Sequence, residues 1–188
     1  MARNRTSLRE FQQNFALRLR DLSSRKTTPS KLGFQIGADN FFVSLSDVSE
    51  VIPVPTFVTV PQTQSWFRGV SNVRGKLYST IDFSAFQGGA VTSPSAERRV
   101  LLIHEKLIEG SGLLVNRMLG LRNPDTFTLD AGQDAERPWI KARFRDPKEA
   151  FWYELDVAFL AQDIRFLEVS VSGPGYAATL GALTGSPA

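Results

Sequence analysis

Beyond residue 31, this sequence is a succession of short apolar segments separated by turn residues, and that pattern limits the possible folds more than any other feature. In the first segment, Leu32, Phe34 and Ile36 alternate with polar or small residues, and Gly37 begins a turn into a second apolar run at 41–45. Alternation on both sides of a short turn predicts a β-hairpin. The same reasoning predicts further strands within residues 57–60, 70–73, 77–83, 99–104, 112–115, 139–144, 151–155 and 166–169.

Helices are predicted only as short pieces in the same region. Ser46 can cap one helical turn within residues 46–51, and Asp156 can cap a short helix that extends to Ala161. A loop at 88–95 divides the strands into two groups, and residues 123–138 form a long connection within the second group. Short, closely spaced strands with brief helices are typical of a mainly β protein built as a pair of small barrels.

The positive charge of the chain is confined to its N-terminal segment. The 188 residues include 22 basic and 19 acidic side chains, for a formal net charge of +3. Residues 1–31 hold eight basic and two acidic side chains, a net charge of +6, and the remaining 157 residues hold 14 and 17, a net charge of −3. Nucleic-acid-binding domains place their basic side chains on the folded surface, often among aromatic ones. The charge distribution therefore argues against a nucleic-acid partner for the folded body.

The N-terminal segment has the pattern of a basic amphipathic helix followed by a linker, within residues 1–30. Ser7 and Glu10 have the spacing of a capping box. Apolar side chains then recur three or four residues apart, which places them on one stripe; they are Leu8, Phe11, Phe15, Leu19 and Leu22. The stripe can pack on the protein's own body, dock on a partner, lie on a membrane surface or belong to an organelle transit peptide.

The apolar segments are too short for membrane insertion. None approaches the ~20 residues needed to span a bilayer, and no apolar signal core follows the charged N terminus. We therefore expect a cytoplasmic protein. Residues 172–188 are rich in glycine, alanine, proline and threonine and are predicted to be a disordered tail.

Side chains for catalysis or metal binding are scarce. The chain has no cysteine and one histidine, which excludes disulfides and thiolate chemistry and leaves little room for a histidine-rich metal site. The sequence contains no phosphate-binding loop and no dinucleotide-binding glycine fingerprint. Asp82 and His104 are candidates for hydrolysis by residue type alone, and Asp82, at the end of an apolar strand, is expected to accept hydrogen bonds from backbone amides instead. No catalytic residue, metal or cofactor is predicted.

The most distinctive stretch is RGVSNVRGKLYSTIDF at residues 68–83. Within it, Gly75 permits the positive φ of a tight turn, and Arg74 at the tip of that turn holds a guanidinium in solvent. A guanidinium can bind a partner's carboxylate through two parallel hydrogen bonds, which a lysine cannot do. From these residues alone, a solvated turn arginine is the simpler explanation.

This stretch resembles the signature of the CheW-like domain, in which a G-V-x-N-x-R-G turn is followed by a strand that ends in Ile/Leu-Asp. The resemblance continues in the same order at residues 34–43, 48–51, 59–61 and 99–115, and it covers about residues 31–170. Trp66, the NVRG turn and the DTF motif at 125–127 look most like PilI-type members of the family, the adaptors of type IV pilus chemosensory systems.

The resemblance implies a fold and a function. The fold is two SH3-like five-stranded β-barrel subdomains packed side by side within a domain at residues 31–171, without enzymatic activity. The function is that of a scaffold in receptor arrays. Such scaffolds couple the cytoplasmic tip of methyl-accepting chemoreceptors to a CheA-type histidine kinase, through the kinase's own CheW-like regulatory domain.

The resemblance also implies which residues bind these partners. Arg74 matches the signature arginine, which the signalling complex needs. Val48 and Glu50 match the surface that contacts receptor or kinase. Asn72 and Gly75 would shape the turn, and Gly69 would let the strand enter it.

Two other functions are consistent with parts of the sequence. Small β-barrels often bind nucleic acids, so a nucleic-acid-binding protein is the alternative function. A small hydrolase that uses Asp82 or His104 has only its residue types in its favour and ranks last.

Overall fold

A computed structural model describes residues 30–131 and 136–171 of the protein. The helix predicted at 7–22 and the tail predicted at 172–188 lie outside the described residues. The described strands are β1 (Lys31–Ile36), β2 (Asp39–Ser44), β3 (Val48–Pro53), β4 (Phe67–Val73), β5 (Lys76–Asp82), β6 (Arg99–Ile103), β7 (Ser111–Val115), β8 (Arg117–Arg122), β9 (Thr128–Asp130), β10 (Ile140–Arg145) and β11 (Phe151–Leu155). The described helices are α1 (Phe83–Phe86), α2 (Val157–Leu160) and α3 (Ile164–Leu167), with 3₁₀ turns at Leu45–Asp47 and Pro124–Thr126.

The strands form two sheets, and each sheet contains strands from both halves of the sequence. The order is β8-β1-β2-β11-β10-β9 in one sheet and β3-β6-β7-β5-β4 in the other. Neighbouring strands are antiparallel except for the parallel pairs β2–β11 and β5–β7, which join the first half to the second. The mainly β class is confirmed. One sheet has six strands and the other has five, and the three-residue strand β9 lies at the edge of the larger sheet, paired with β10.

The main hydrophobic core contains buried side chains from both sheets and the helices. Phe34 and Phe41 stack there with ring centroids 5.6 Å apart, and Leu101 and Leu113 contribute from the other sheet. Phe42, next to Phe41, faces the opposite side of β2 because strand side chains alternate. There its ring contacts those of Phe127, Phe144 and Trp152. A smaller cluster lies within the five-stranded sheet and consists of Ile52, Val100, Leu102 and Leu114.

Two predicted elements are wrong. The helical turn predicted at 46–51 is a 3₁₀ turn at Leu45–Asp47 followed at once by β3, whose pairing with β6 extends residues 48–53. The strand predicted at 166–169 is helix α3, which begins after Asp163, whose carboxylate accepts a hydrogen bond from the Arg165 amide. At the first place, pairing with a strand distant in sequence outweighs the local pattern. At the second place, a helix cap does.

Two other regions differ in extent from the prediction. The segment at 57–60 makes only one bridge, in which Val58 and Val70 exchange backbone hydrogen bonds of 2.8 and 2.9 Å. The connection predicted at 123–138 contains β9, and β8 before it was not predicted. Both strands lie at sheet edges, where one neighbour is enough to define a strand and the sequence signal is weak.

Candidate functional site

The turn between β4 and β5 consists of Arg74 and Gly75. Their φ angles are 53° and 85°, both positive, as a two-residue type I′ hairpin turn requires. The side-chain carbonyl oxygen of Asn72 accepts a 2.8 Å hydrogen bond from the Gly75 amide. This arrangement fixes the backbone of the turn and projects the Arg74 side chain from its tip.

The structure pairs Arg74 with Glu50, which is 24 residues away on β3. The two terminal nitrogens of the guanidinium donate to the two oxygens of the Glu50 carboxylate at 2.8 and 2.7 Å. The Arg74 side chain is 76% exposed and that of Glu50 is 34% exposed. The carboxylate that the guanidinium binds is thus one of the protein's own. An ion pair this open to solvent contributes only about 0–1 kcal/mol, so a partner can replace it at little cost.

A second ion pair lies beside the first. The Lys76 ammonium donates to the Glu105 carboxylate at 3.1 Å. This hydrogen bond, together with the opposite charge, raises the pKa of Lys76 and lowers the pKa of Glu105 from their ordinary values. Glu105 follows β6 and has no motif around it, so only the tertiary structure identifies it as part of the site.

The two ion pairs line a shallow cavity of about 360 Å³. Its apolar side is formed by Val73, Tyr78 and Leu102, which belong to or pack on the smaller core cluster. His104 also lines the cavity. Apolar side chains ringed by charged ones are the usual composition of a protein–protein interface.

Of the five predicted site residues, Glu50 and Arg74 line this cavity, whereas Val48, Asn72 and Gly75 do not. Asn72 and Gly75 belong to the turn that carries Arg74, so Val48 is the one that lies apart. It begins β3 and packs against the main core, half-buried. The pairing of β3 with β6 shifts between Val48 and Glu50, which sit opposite Ile103 and Leu102. Glu50 on β3 and Arg74 on the turn held by Asn72 and Gly75 therefore meet at this cavity, and Val48 contributes to the core beneath β3 instead.

Gly69 has a structural role other than the predicted one. Its φ of 123° lies in a region that side-chain-bearing residues rarely adopt. A Cβ there would lie 2.3 Å from the carbonyl oxygen of Val58. Gly69 thus lets the segment around Val58 lie directly against β4.

The two candidates for hydrolysis are each engaged in internal hydrogen bonds. Asp82 is fully buried, and its carboxylate accepts hydrogen bonds from the Ala85 amide, the Thr92 amide and the Thr92 hydroxyl, at 3.3, 2.8 and 2.8 Å. It therefore fastens α1 and the loop before β6, as expected for a strand-end aspartate. The Nδ1 atom of His104 accepts a hydrogen bond from the Lys106 amide. Within residues 30–131 and 136–171, no cluster of potential metal ligands is found.

In the part of the chain that the structure describes, no helix has both the length and the apolar character that crossing a bilayer requires.

Comparisons with known proteins identify the family and the fold. The sequence model described as "CheW-like domain" matches residues 31–165. Protein PilI of Pseudomonas aeruginosa is 33% identical over 146 residues, which is 76% of this chain and 80% of that protein. The crystal structure of the scaffolding protein TtCheW from Thermoanaerobacter tengcongensis superposes with a TM-score of 0.63 at 14% identity, over 75% of this chain and 97% of TtCheW.

Proposed function

The chain belongs to the family of CheW-like domains, and on that premise we propose that it is a non-catalytic scaffold that couples methyl-accepting chemoreceptors to a CheA-type histidine kinase. The similarity to Protein PilI supports a chemosensory pathway that controls twitching motility by type IV pili. The scaffold would act in the cytoplasm, in contact with the membrane receptors of a signalling array.

The observation that carries the proposal is the Glu50–Arg74 pair at a cavity that has one apolar side and a charged rim. A scaffold must hold its partners firmly enough to assemble them and release them when the array reorganises. A small apolar area surrounded by exposed charges meets this need, since such interfaces are modest and reversible. The internal pair keeps both charged groups oriented, and each can exchange its internal partner for an opposite charge on the kinase or the receptor.

The roles we propose follow the geometry. Arg74 binds a carboxylate of the partner, and Glu50 binds a basic group or a backbone amide once it is released. Asn72 and Gly75 hold the turn that presents Arg74, and Val48 stabilises β3, which presents Glu50. The internal hydrogen bonds of Asp82 support the absence of catalysis, because its carboxylate is occupied in holding α1.

A binding measurement tests the proposal. The CheW-like regulatory domain of the histidine kinase from the same organism is immobilised, and the binding of the wild-type protein is compared with that of Arg74→Ala. Loss of two charge-assisted hydrogen bonds should weaken binding about 10- to 100-fold.

Arg165→Ala is the matched control. Arg165 also forms a two-pronged ion pair, through Nε and one terminal nitrogen, with Asp163 away from the cavity, so the variant removes the same charge and a comparable pair. It should bind the kinase domain as the wild type does. If Arg74→Ala binds within twofold of the wild type, the assignment of Arg74 to the partner surface is wrong.

A further inference from the structure

A second charged surface lies at the opposite end of β4 from the Arg74 turn. It is a groove of about 600 Å³ between the segment that follows β3, the start of β4 and the loop before β6. Six positions separate Arg68 in this groove from Arg74, which along a strand is about 20 Å. The groove shares no lining residue with the cavity at Glu50 and Arg74.

Three arginines, Arg68, Arg98 and Arg99, line this basic groove, and no carboxylate does. Glu97, which directly precedes Arg98 in sequence, is exposed and does not line the groove. The concentration of positive charge is local, because residues 32–188 together carry a net charge of −3.

None of these three guanidiniums pairs with a carboxylate among the described residues, and that of Arg99 donates to the backbone carbonyls of Ala96 and Arg98. Among the described residues, Arg68 and Arg98 form no ion pair, and the Nε–H group of each is buried without an acceptor. Five other arginines each pair with a carboxylate: Arg74, Arg137, Arg143, Arg145 and Arg165. The positive charge of the Arg68 and Arg98 guanidiniums is therefore not neutralised by a carboxylate of the described chain, and carboxylates from outside the chain can neutralise it.

The walls of the groove suit an extended peptide. Pro53, Pro55 and Pro94 line it together with Phe57. Proline fixes its own φ, so this wall is ordered before any ligand binds and loses little conformational entropy on binding. The apolar rings offer contact area to the carbon atoms of a peptide while the guanidiniums bind its carboxylates.

We propose that the basic groove binds an acidic, extended segment of a protein partner, through at least two carboxylates held by Arg68 and Arg98. The chain's own terminal segments do not fit, because residues 172–188 contain no acidic side chain and residues 1–31 are strongly basic. A nucleic acid fits less well than a peptide. It would need a longer basic track with aromatic rings for its bases, whereas this groove is one patch on an acidic body.

Fluorescence anisotropy with the full-length protein tests the proposal. The probe is a labelled hexaglutamate peptide, and the comparison probes are labelled hexaglutamine and a labelled 20-base-pair DNA duplex. Inorganic phosphate is added in a separate titration as an unlabelled competitor. The wild type should bind hexaglutamate at least tenfold more tightly than hexaglutamine, and added salt should weaken the binding. Arg68→Gln/Arg98→Gln should reduce the affinity for hexaglutamate at least tenfold.

The control is Lys106→Gln/Lys148→Gln, which makes the same change in net charge at two exposed residues outside the groove. Its affinity for hexaglutamate should stay within twofold of that of the wild type. Equal weakening by both double variants would show a general charge effect and overturn the proposal. The proposal would also be overturned if the wild type bound DNA more tightly than hexaglutamate and lost that binding in Arg68→Gln/Arg98→Gln. Displacement of the peptide by phosphate at equimolar concentration would overturn it too. The result is independent of kinase binding, so it can fail while the function proposed for Arg74 stands.

Discussion

Exchanging the charges of the Glu50–Arg74 pair separates a structural role from a binding role. In the double variant Glu50→Arg/Arg74→Glu, an ion pair of opposite polarity can form across the same two strands. The turn residue keeps a side chain at positive φ in both proteins, so the backbone strain is the same. The exchange therefore preserves the internal pair and reverses the charge that the protein presents to its partner.

The structure sets the expected magnitudes. Because Arg74 is 76% exposed, removing the pair in either single alanine variant should lower the free energy of unfolding by no more than about 1 kcal/mol. In a domain of this size that lowers Tm by only a few degrees. Binding should respond far more strongly, since a partner carboxylate would meet a glutamate in place of an arginine. The exchange variant should unfold like the wild type and bind the kinase domain at least tenfold more weakly.

Two measurements on the same samples check this: thermal unfolding followed by circular dichroism, and calorimetric titration with the kinase domain. If the exchange variant binds as tightly as the wild type, the pair acts only by holding the turn, and the proposed contact of Arg74 with the partner is refuted. If the alanine variants unfold more than 10 °C below the wild type, the pair is structural and the exposure argument fails.

Three further predictions concern stability. Gly69→Ala should lower the free energy of unfolding by about 1–3 kcal/mol or more, because it combines a strained φ with a collision against a backbone carbonyl. Gly37→Ala, with φ 57° and open space around it, should lower it by about 1 kcal/mol. Urea unfolding of the two variants measures the difference. Asp82→Asn should lower the free energy of unfolding by about 1–3 kcal/mol, because an amide nitrogen would replace one of the two oxygens that accept three hydrogen bonds around this buried side chain, as urea unfolding of that variant would show. The hydrogen bonds from Arg165 lower the pKa of Asp163, so the stability that this pair provides is present above the unfolded pKa of about 3.9 and is lost as the pH falls through the folded value. The difference in Tm between the wild type and Arg165→Gln should therefore shrink between pH 6 and pH 2.

Each of these predictions has a result that contradicts it. Equal losses for Gly69→Ala and Gly37→Ala would mean that the close approach of Val58 is unimportant. An Asp82→Asn variant as stable as the wild type would remove the structural explanation of that carboxylate and reopen a chemical one. A constant difference in Tm from pH 6 to pH 2 would mean that the Arg165 pair does not set the pKa of Asp163.

The local parts of the fold could be read from the sequence because their signals are local. The hairpins β1–β2, β4–β5 and β10–β11 were predicted, since alternation and turn residues act within about ten positions. The turn at Arg74 was predicted for the same reason. The helical turn predicted at 46–51 is wrong because β3 forms there by pairing with β6, about fifty residues away in sequence.

Some residues of the candidate site were identified from the sequence, and others only from the tertiary structure. Arg74, Glu50, Asn72 and Gly75 came from a family motif in the sequence. Lys76 and Glu105 form the second ion pair only because β5 and the end of β6 meet on one face. The arginines of the basic groove carry no motif either, and their shared surface depends on where β3, β4 and β6 begin or end.

The sequence by itself determined the family, the mainly β class and the identity of the turn that presents Arg74. The tertiary structure decided which carboxylate that arginine binds, which sheet each strand joins and which charged side chains share a surface. The physical reason is the range of the interactions. Turn conformation and strand alternation depend on neighbours in the chain, whereas parallel pairs such as β2–β11 and ion pairs such as Glu50–Arg74 form only after the chain has closed long loops.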